Sequence, residues 1–361
     1  MAYISFQPKD FFNTFLHTGN DASPRSFTGM GFQPDILWLK RRNSASSHTL
    51  YDAVRTAGSA KGLASNATAA EGLSATEGTT ANYGYVSSLD SDGFSVTTGA
   101  SNDNYVNNSG DTYVSWNWKT GTTSGITTNG STTITPSGYS FNSTVGVSIL
   151  TYQGNGTAGA KLAHGLGGEP DMFMIKQYNS ANDWVVYFKA LSNTQVLYLN
   201  EDVNSATRSN AWNNTSPDSV NITLGQGGGD INYDSSRYYS CFAMRNVTGF
   251  SKAGKYIGNG DANGAFVYTG FKPSWLMIKK HGASGQWLMI DNKRGYNGSN
   301  ELLYADSSEA SGSAEVVDLL SNGFKQRSTG SGNNNSGSDY FYVAFAEAPL
   351  VGSNNIPATA R

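Results

Sequence analysis

The sequence predicts an all-β protein made of three tandem β-sandwich domains of the jelly-roll or lectin-like kind. First, one pattern of a turn, a proline and an apolar run occurs three times, at residues 31–40, 167–176 and 270–279. Second, the polar residues are mainly Gly, Ser, Thr and Asn, with 42 glycines and only 14% charged residues. Such residues favour turns and strands over helices. Third, an apolar fraction of 38% is enough for the chain to bury a core.

The same features flank each proline at similar distances. A glycine precedes Pro34, Pro170 and Pro273 at nearly constant spacing, namely Gly19, Gly154 and Gly258. A tyrosine that opens an apolar run follows each proline much further along the chain, namely Tyr113, Tyr239 and Tyr342. Repeats of about 100 residues exceed the roughly 20 to 50 residues of solenoid units, so each repeat is expected to form a small domain.

This spacing divides the chain of 361 residues into three domains. We assign repeat 1 to residues 1–119, repeat 2 to residues 146–249 and repeat 3 to residues 250–349. Residues 120–145 contain no charged residue and are rich in Thr, Ser and Gly, which is typical of an extended linker. Residues 350–361 are expected to form an exposed C-terminal arm.

The strands of each repeat can be predicted in order. A continuous apolar run after the proline indicates a central strand covered on both faces. These runs lie at residues 36–39, 172–175 and 275–278. A short polar segment then predicts a hairpin loop before a second strand. The second strands are expected at residues 49–52, 184–187 and 287–290. Asp-Gly or Asn-Gly at residues 92–93 and 322–323 predicts a tight turn, and the closing strands begin at the tyrosines named above.

Composition excludes several classes of partner. The net charge is −3 and basic residues are scattered, so no nucleic-acid partner is expected. No apolar run approaches the length that a membrane-spanning helix needs, so no membrane insertion is expected. Cys241 is the single cysteine, which excludes an intrachain disulfide and a cysteine-based zinc site, and it is expected to be a buried thiol. The first residues lack the features of a signal peptide, so synthesis in the cytoplasm is expected.

Candidate catalytic residues do not follow the repeats. Asp52 and Asp291 lie at the same distance after their prolines, but Phe188 takes this position in repeat 2. We expect the two carboxylates to pair with Arg55 and Arg294. No facing pair of carboxylates suitable for glycoside cleavage can be named, and the four histidines are too scattered for a metal site or a Ser-His-Asp triad. We therefore predict a non-enzyme without catalytic residues, cofactors or bound metal.

Aromatic residues beside polar loops are better candidates for a functional surface. Flat rings near Asn and Asp can stack on sugars while the polar groups bond the hydroxyls. The candidate surface or ligand contacts are Tyr83, Tyr85, Tyr105, Trp212, Tyr233 and Tyr296, with Tyr238 in the same class. The alternative is that these rings only pack against the fold. Five tryptophans at strand positions are expected in the core: Trp38, Trp116, Trp184, Trp275 and Trp287.

Four sequence motifs resemble those of a known family: YQGNGTAG at residues 152–159, HGLGGEPD at 164–171, FVYTGFKP at 266–273 and YVAFAE at 342–347. The chain resembles repeat-bearing virion proteins of tailed bacteriophages, common among marine and cyanobacterial phages and tail-fibre-like. The resemblance implies a structural or adhesive part of a virion that is released by host lysis. Because these phrases mark the fold, no site residue is carried over.

Two functional interpretations follow from the resemblance. In the first, the protein is a tail-fibre or adhesin component, expected to be a homotrimer, that contacts host surface polysaccharide. In the second, it is a capsid or tail decoration or connector protein that binds other virion proteins and stabilises the particle. A carbohydrate-active enzyme is a distant third. Since the repeated positions are turns and strand interiors, recognition is expected in the parts that do not repeat.

Overall fold

The computed structural model describes residues 6–73, 78–102, 104–226 and 228–348. The predicted C-terminal arm, residues 350–361, lies outside the described residues. Within them the chain forms 25 strands, one helix of four residues, α1 (Thr80–Tyr83), and two 3₁₀ turns, Pro8–Asp10 and Gly228–Asp230. The predicted all-β fold is therefore confirmed. None of the helices in these ranges is long and apolar enough to cross a membrane.

The strands follow one another in the three repeats. Repeat 1 contains β1 (Phe12–Thr18), β2 (Arg25–Phe27), β3 (Ile36–Arg41), β4 (Thr49–Asp52), β5 (Tyr85–Asp90), β6 (Gly93–Thr97) and β7 (Thr112–Trp118). Repeat 2 contains β8 (Gly138–Asn142), β9 (Val147–Gln153), β10 (Ala160–Ala163), β11 (Met172–Gln177), β12 (Trp184–Phe188), β13 (Gln195–Tyr198), β14 (Ala206–Thr207), β15 (Asn221–Leu224) and β16 (Tyr238–Met244). Repeat 3 contains β17 (Ser251–Ile257), β18 (Phe266–Tyr268), β19 (Trp275–His281), β20 (Leu288–Asp291), β21 (Asn300–Tyr304), β22 (Gly312–Ala314), β23 (Val317–Leu320), β24 (Gly323–Gln326) and β25 (Asp339–Phe345).

Each repeat folds into a main sheet and a smaller second sheet. The main sheets have the orders β1-β7-β3-β4, β8-β9-β16-β11-β12-β13-β14 and β17-β25-β19-β20-β21-β22. The second sheets have the orders β2-β6-β5, β10-β15 and β18-β24-β23. In all three main sheets the closing strand pairs with the strand that follows the proline, and that strand pairs with the predicted second strand across a hairpin. The shared sequence pattern therefore encodes a shared topology.

Residues 120–145 differ from the expected extended linker. Their last part includes β8, which pairs with β9 at the edge of the repeat 2 sheet. Ile134 is buried in the core of the same repeat. Residues 121–125 and 127–131 are exposed, and an uncharged Thr/Ser-rich sequence is compatible with a linker as well as with pairing in a sheet.

A separate apolar core lies between the two sheets of each repeat, and a fourth core is shared by all three. The outer faces of the main sheets meet at Trp118, whose ring centroid lies 6.0 Å from Phe242 of repeat 2 and 5.6 Å from Trp275 of repeat 3. Phe188 of repeat 2 stacks on Phe341 of repeat 3 at 5.2 Å. A cavity of about 20 Å³ at this junction is lined by side chains from all three repeats.

The shared core explains why the strands after the prolines are apolar throughout. One face of each strand packs in its own sandwich and the other packs in the shared core. All five tryptophans predicted to be internal are buried, which confirms that prediction. Whether a single repeat folds as a separate domain stays a prediction, because here each repeat completes its burial against the other two.

The three repeats contact one another in a closed ring. At each seam a hairpin N–H donates to a carbonyl of the neighbouring repeat at 2.8, 2.8 and 2.7 Å. These bonds run from Ser46 to Ser308, from Asn182 to Thr68 and from Gly285 to Asp202. Repeat 1 thus contacts repeat 3, repeat 2 contacts repeat 1, and repeat 3 contacts repeat 2. Such head-to-tail interfaces form a ring when the rotation between units closes.

The lysine that ends each apolar run is buried in a seam. Lys40, Lys176 and Lys279 have no exposed surface. Their ammonium groups donate to carbonyls of the neighbouring repeat at 3.3, 3.0 and 3.0 Å, namely Ser308, Thr68 and Glu201. Burial lowers their pKa values to about 7, 7 and 8. The lysines in the repeated pattern are therefore parts of the ring and do not form a basic surface.

An aromatic ring also bonds across each seam, from the same position in the hairpin. The position holds His48 in repeat 1, Trp184 in repeat 2 and Trp287 in repeat 3. Each ring N–H donates to a carbonyl of the neighbouring repeat at 3.0, 2.7 and 2.8 Å, namely Tyr304, Ala64 and Tyr198. His48 thus replaces a tryptophan in a repeated role.

The repeated Gly-Asn pair holds the end of the first strand against the loop before the closing strand. At Gly19, Gly154 and Gly258 an added Cβ would lie within about 2.6 Å of a backbone oxygen, so no side chain fits. The next residue pairs with a buried asparagine through N–H···Oδ1 bonds of 3.3, 2.8 and 3.0 Å. We refer to these three pairs as the asparagine clamps: Asn20 with Asn107, Asn155 with Asn232 and Asn259 with Asn334.

The closing strand of repeat 3 is displaced by two positions from its predicted alignment. The hydroxyls of Tyr113, Tyr239 and Tyr340 each accept a backbone N–H from the loop just upstream, at 3.0, 3.0 and 2.8 Å. Tyr340 is therefore the equivalent residue, and the alignment on Tyr342 is wrong. The two tyrosines have the same parity in the strand, so the apolar pattern alone does not distinguish the two registers.

Candidate binding surface

The two candidate carboxylates form buried ion pairs. Arg55 Nε lies 2.7 Å from Asp52 Oδ2, and Arg294 Nε lies 2.6 Å from Asp291 Oδ2. This confirms the expected pairing. The other oxygen of each carboxylate accepts two backbone N–H groups of the following turn. Trp116 Nε1 also donates to Asp291 across the seam at 2.9 Å, so these carboxylates hold turns and a seam together.

Three histidines lie inside the protein at separate places. Burial lowers the pKa of His17 to about 4, and it also lowers the pKa of His48 and His164. His48 donates from Nε2 to Tyr304 and accepts the Trp38 indole N–H on Nδ1 at 2.8 Å, as a neutral ring does. Among the residues that the structure describes, no three His, Cys, Asp or Glu side chains are grouped so that they could hold a metal ion.

Two of the predicted contact residues are core residues, which corrects that prediction. Trp212 is 1% exposed, and its ring packs edge-on against Phe173 at 4.9 Å while Nε1 donates to Gln195 O. Tyr105 is 4% exposed and packs in the core of repeat 1. Asn213 and Asn214 beside Trp212 are exposed while the Trp212 ring points inward, whereas Val106 and Asn107 beside Tyr105 are buried together with it.

The other predicted contacts are half-buried or isolated. Tyr83 and Tyr85 pack against the core of repeat 1, and Tyr296 packs against the core of repeat 3 with its hydroxyl donating to Leu319 O. Tyr233 is exposed on repeat 2. The six predicted residues are thus spread over three repeats, and the structure does not bring them together in one site.

Two exposed aromatic rings lie instead on β18 of repeat 3. Phe266 is 48% exposed and Tyr268 is 58% exposed, whereas Val267 between them points into the core. This follows from the alternation of side chains along a strand. Within the described residues β18 has a strand neighbour on one side only, β24. The two rings therefore lie on the outer face of an edge strand, at a spacing fixed by the backbone.

A glycine lies beside each ring. An added Cβ on Gly323 would lie 3.0 Å from Cε2 and Cζ of Phe266, and one on Gly270 would lie 3.5 Å from the Tyr268 hydroxyl. Gly323 also lies close to the backbone of β18, since its added Cβ would contact Val267 O. The Phe266 ring thus extends over a bare part of the sheet, where a neighbouring side chain would otherwise stand.

A lysine accompanies each ring. Lys252 of β17 donates to Tyr268 O at 2.9 Å and places Nζ 5.4 Å from the Tyr268 ring centroid. Lys325 of β24 is the direct cross-strand partner of Phe266 and donates to Asn263 Oδ1. We refer to Phe266, Tyr268, Lys252 and Lys325 as the aromatic edge.

The aromatic edge is specific to repeat 3 when that repeat is compared with repeat 1. By strand register, Phe27 of repeat 1 corresponds to Val267, so Ser26 and Thr28 occupy the positions of Phe266 and Tyr268. The sequence analysis missed Phe266 and Tyr268 because they belong to the FVYTGFKP motif, which was attributed to the fold. A comparison of the repeats could have identified them. Phe-Val-Tyr in repeat 3 aligns with Ser-Phe-Thr in repeat 1, so the two outer positions are aromatic only in repeat 3 of this pair.

A second exposed pair lies on repeat 2. Tyr233 is in the loop before β16, and Tyr238 is the first residue of that strand. The Tyr238 ring lies 6.2 Å from that of Tyr178. Its hydroxyl accepts a bond from Gln153, and its backbone N–H donates to Asn179. These rings lie in loops and at a strand end, so their spacing is set less firmly than that on β18.

In the part of the chain that the structure describes, these features define an all-β protein of three sandwich repeats in a ring, with one exposed aromatic edge. The chain belongs to the family described as a domain of unknown function (DUF7483), whose model matches residues 7–349. The match spans all three repeats. A search of the curated proteins found no match.

Proposed function

We propose that this protein is a non-enzymatic structural protein on the exterior of a tailed-bacteriophage virion, where it contacts host surface polysaccharide as a tail-fibre or adhesin component. The resemblance of its repeat phrases to phage virion proteins supports the virion assignment. The burial of Asp52, Asp291 and the repeated lysines in structural contacts supports a scaffold rather than a catalytic pocket.

The exposed ring pair on β18 carries the binding part of the proposal. Exposing two aromatic rings forgoes the free energy of burying them, and exposed apolar patches on soluble proteins mark interaction sites. A sheet holds the rings rigidly, which limits the entropy lost on binding. Flat rings beside polar groups are the usual means of sugar recognition.

The test is binding of the purified full chain to an array of immobilised bacterial surface polysaccharides. We expect binding that is lost in the F266A/Y268A variant and kept in the matched control S26A/T28A, which changes the same strand positions of repeat 1. Both variants should unfold at the wild-type temperature, because the four side chains are exposed. Wild-type chain that binds no polysaccharide on the array would contradict the adhesin proposal.

A second candidate is a decoration or connector protein, and the open edge of β18 supports it. An edge strand offers unpaired backbone groups to a strand of another chain. This candidate predicts that the chain binds virion particles more tightly than polysaccharide. Release of reducing sugar ends from a bound polysaccharide would contradict the non-enzymatic part of the proposal.

Oligomerisation belongs to the same proposal. The expected homotrimer stays a prediction, and light scattering on the purified chain tests it by comparing the solution mass with the chain mass of 38.4 kDa. A mass equal to one chain would contradict the homotrimer, and the ring of three repeats would then be the complete assembly.

A further inference from the structure

We infer that the aromatic edge selects acidic polysaccharides, with Phe266 and Tyr268 stacking on sugar rings while Lys252 and Lys325 bind carboxylate or sulfate groups of the same chain. This inference rests on the proposed function and names the substrate class. It follows from charge complementarity at one place, because each exposed ring has its own ammonium group beside it.

The positions of the two lysines suit this role. Phe266 and Lys325 are directly opposite in the register of β18 and β24, so their side chains project from the same face of the sheet. Lys252 approaches Tyr268 from β17, with Nζ 5.4 Å from the ring centroid. A linear polymer that runs along β18 over the two rings would therefore contact one ammonium group at each ring.

The ammonium groups of Lys252 and Lys325 have N–H donors that can bind a ligand. An ammonium carries three N–H donors, and each lysine uses one of them within the described residues, on Tyr268 O or on Asn263 Oδ1. Neither lysine forms an ion pair with a carboxylate in those ranges. Both charges are thus unpaired at the surface and available to a polymer anion.

Two carboxylates near this sheet form ion pairs with an arginine. Asp318 is the cross-strand partner of Lys325 on β23, but its carboxylate lies 3.4 Å from Arg327. Glu315 lies 3.6 Å from the same guanidinium. Both carboxylates are paired with Arg327, on the side of the sheet away from β18, and neither forms an ion pair with Lys325 in the described residues.

The experiment compares matched polymers on the full chain. The probes are polygalacturonate against galactan and dextran sulfate against dextran, each measured at low and at high salt. We expect the acidic member of a pair to bind more tightly, and salt to weaken it. The K252Q/K325Q variant should bind the acidic polymer about three- to tenfold more weakly, as expected for two exposed ion pairs. F266A/Y268A should bind neither polymer.

The matched control is K9Q/K255Q, which removes the same charge from the exposed Lys9 of repeat 1 and from Lys255 on the opposite face of β17. It should bind as wild type does. Equal binding of acidic and neutral members, or an acidic preference that K252Q/K325Q retains, would overturn the inference. Ring-dependent binding that is as tight for the neutral polymer as for its acidic counterpart would overturn the inference and leave the proposed function standing. Loss of binding in K9Q/K255Q alone would show that lysines outside the aromatic edge bind the acidic groups, and this result would also overturn the inference.

Discussion

Replacing the seam lysine of repeat 2 should flatten the pH dependence of stability. Lys176 has no exposed surface, and its ammonium group donates to Thr68 O at 3.0 Å and to Gln177 O at 2.7 Å. Burial lowers its pKa from 10.5 to about 7. Lys176→Met keeps the aliphatic stem in the seam and removes the titrating group, so the variant isolates the electrostatic contribution of one lysine.

The sign and size of this pH dependence follow from the number of protons bound in the folded and unfolded states. Between pH 7 and pH 10.5 the unfolded chain holds a proton on Lys176 that the folded chain has released, so folding stability rises with pH in this window. The limit is about 1.4 kcal/mol per pH unit for one group. From pH 7.5 to pH 9.5 Lys176 therefore contributes a rise of about 2 kcal/mol. Below pH 7 both states are protonated, the full burial penalty is present, and the contribution no longer changes.

The assay is urea unfolding followed by tryptophan fluorescence between pH 7.5 and pH 9.5. Lys40 and Lys279, with pKa values of about 7 and 8, raise wild-type stability in the same direction. Lys176→Met should show a slope smaller by about 1 kcal/mol per pH unit, whereas Lys9→Met at an exposed site should run parallel to wild type. Parallel profiles for Lys176→Met and wild type would refute the reasoning. Measurements stay below pH 10 because burial raises the pKa of Tyr51 and Tyr152, which reverses the slope at higher pH.

Three further predictions concern the cores and the asparagine clamps. Trp118→Ala, at the junction of the three repeats, should lower the free energy of unfolding by about 3 to 5 kcal/mol; a calorimetric loss confined to one of several transitions would contradict a shared core. Asn334→Ala leaves the Asn259 N–H and the Asp261 carbonyl without a partner and should cost about 2 kcal/mol or more. The exposed neighbour variant Asn335→Ala serves as its control in the same denaturation experiment, and equal effects would argue against the clamp. Cys241 has no exposed surface, and burial raises the pKa of its thiol, so iodoacetamide should label it at the rate of global unfolding; fast labelling of the native chain would show that this core opens locally.

The strands and hairpins of each repeat could be predicted because short, continuous stretches of sequence determine them. The proline, the apolar run and the polar hairpin loop each fix a short stretch of backbone. The ring could not be predicted from the same residues. A strand such as Ile36–Arg41 is apolar on both faces whether its second face meets a partner chain, another sheet or another repeat, and the sequence does not distinguish these cases.

The site was predictable only in part. Tyr233 lies in a polar loop, Tyr238 begins β16, and both are exposed, but Trp212, with Asn213 and Asn214 beside it, is internal. The direction of a loop side chain depends on tertiary contacts such as that of Trp212 with Phe173, which local composition does not encode. Comparison between repeats carries more information, because a serine in one copy and a phenylalanine in another cannot both be required by the fold.

The closure of three repeats within one chain has a consequence for valency. A ring assembled from three identical chains would carry every surface substitution three times, whereas here Phe266 and Tyr268 occur once, and repeat 1 keeps Ser26 and Thr28. Within the described residues each chain therefore offers one aromatic edge, and the polymer binding that we propose would be that of a single weak contact. Strong attachment would have to come from many copies held side by side, since linking weak sites multiplies avidity without new contacts.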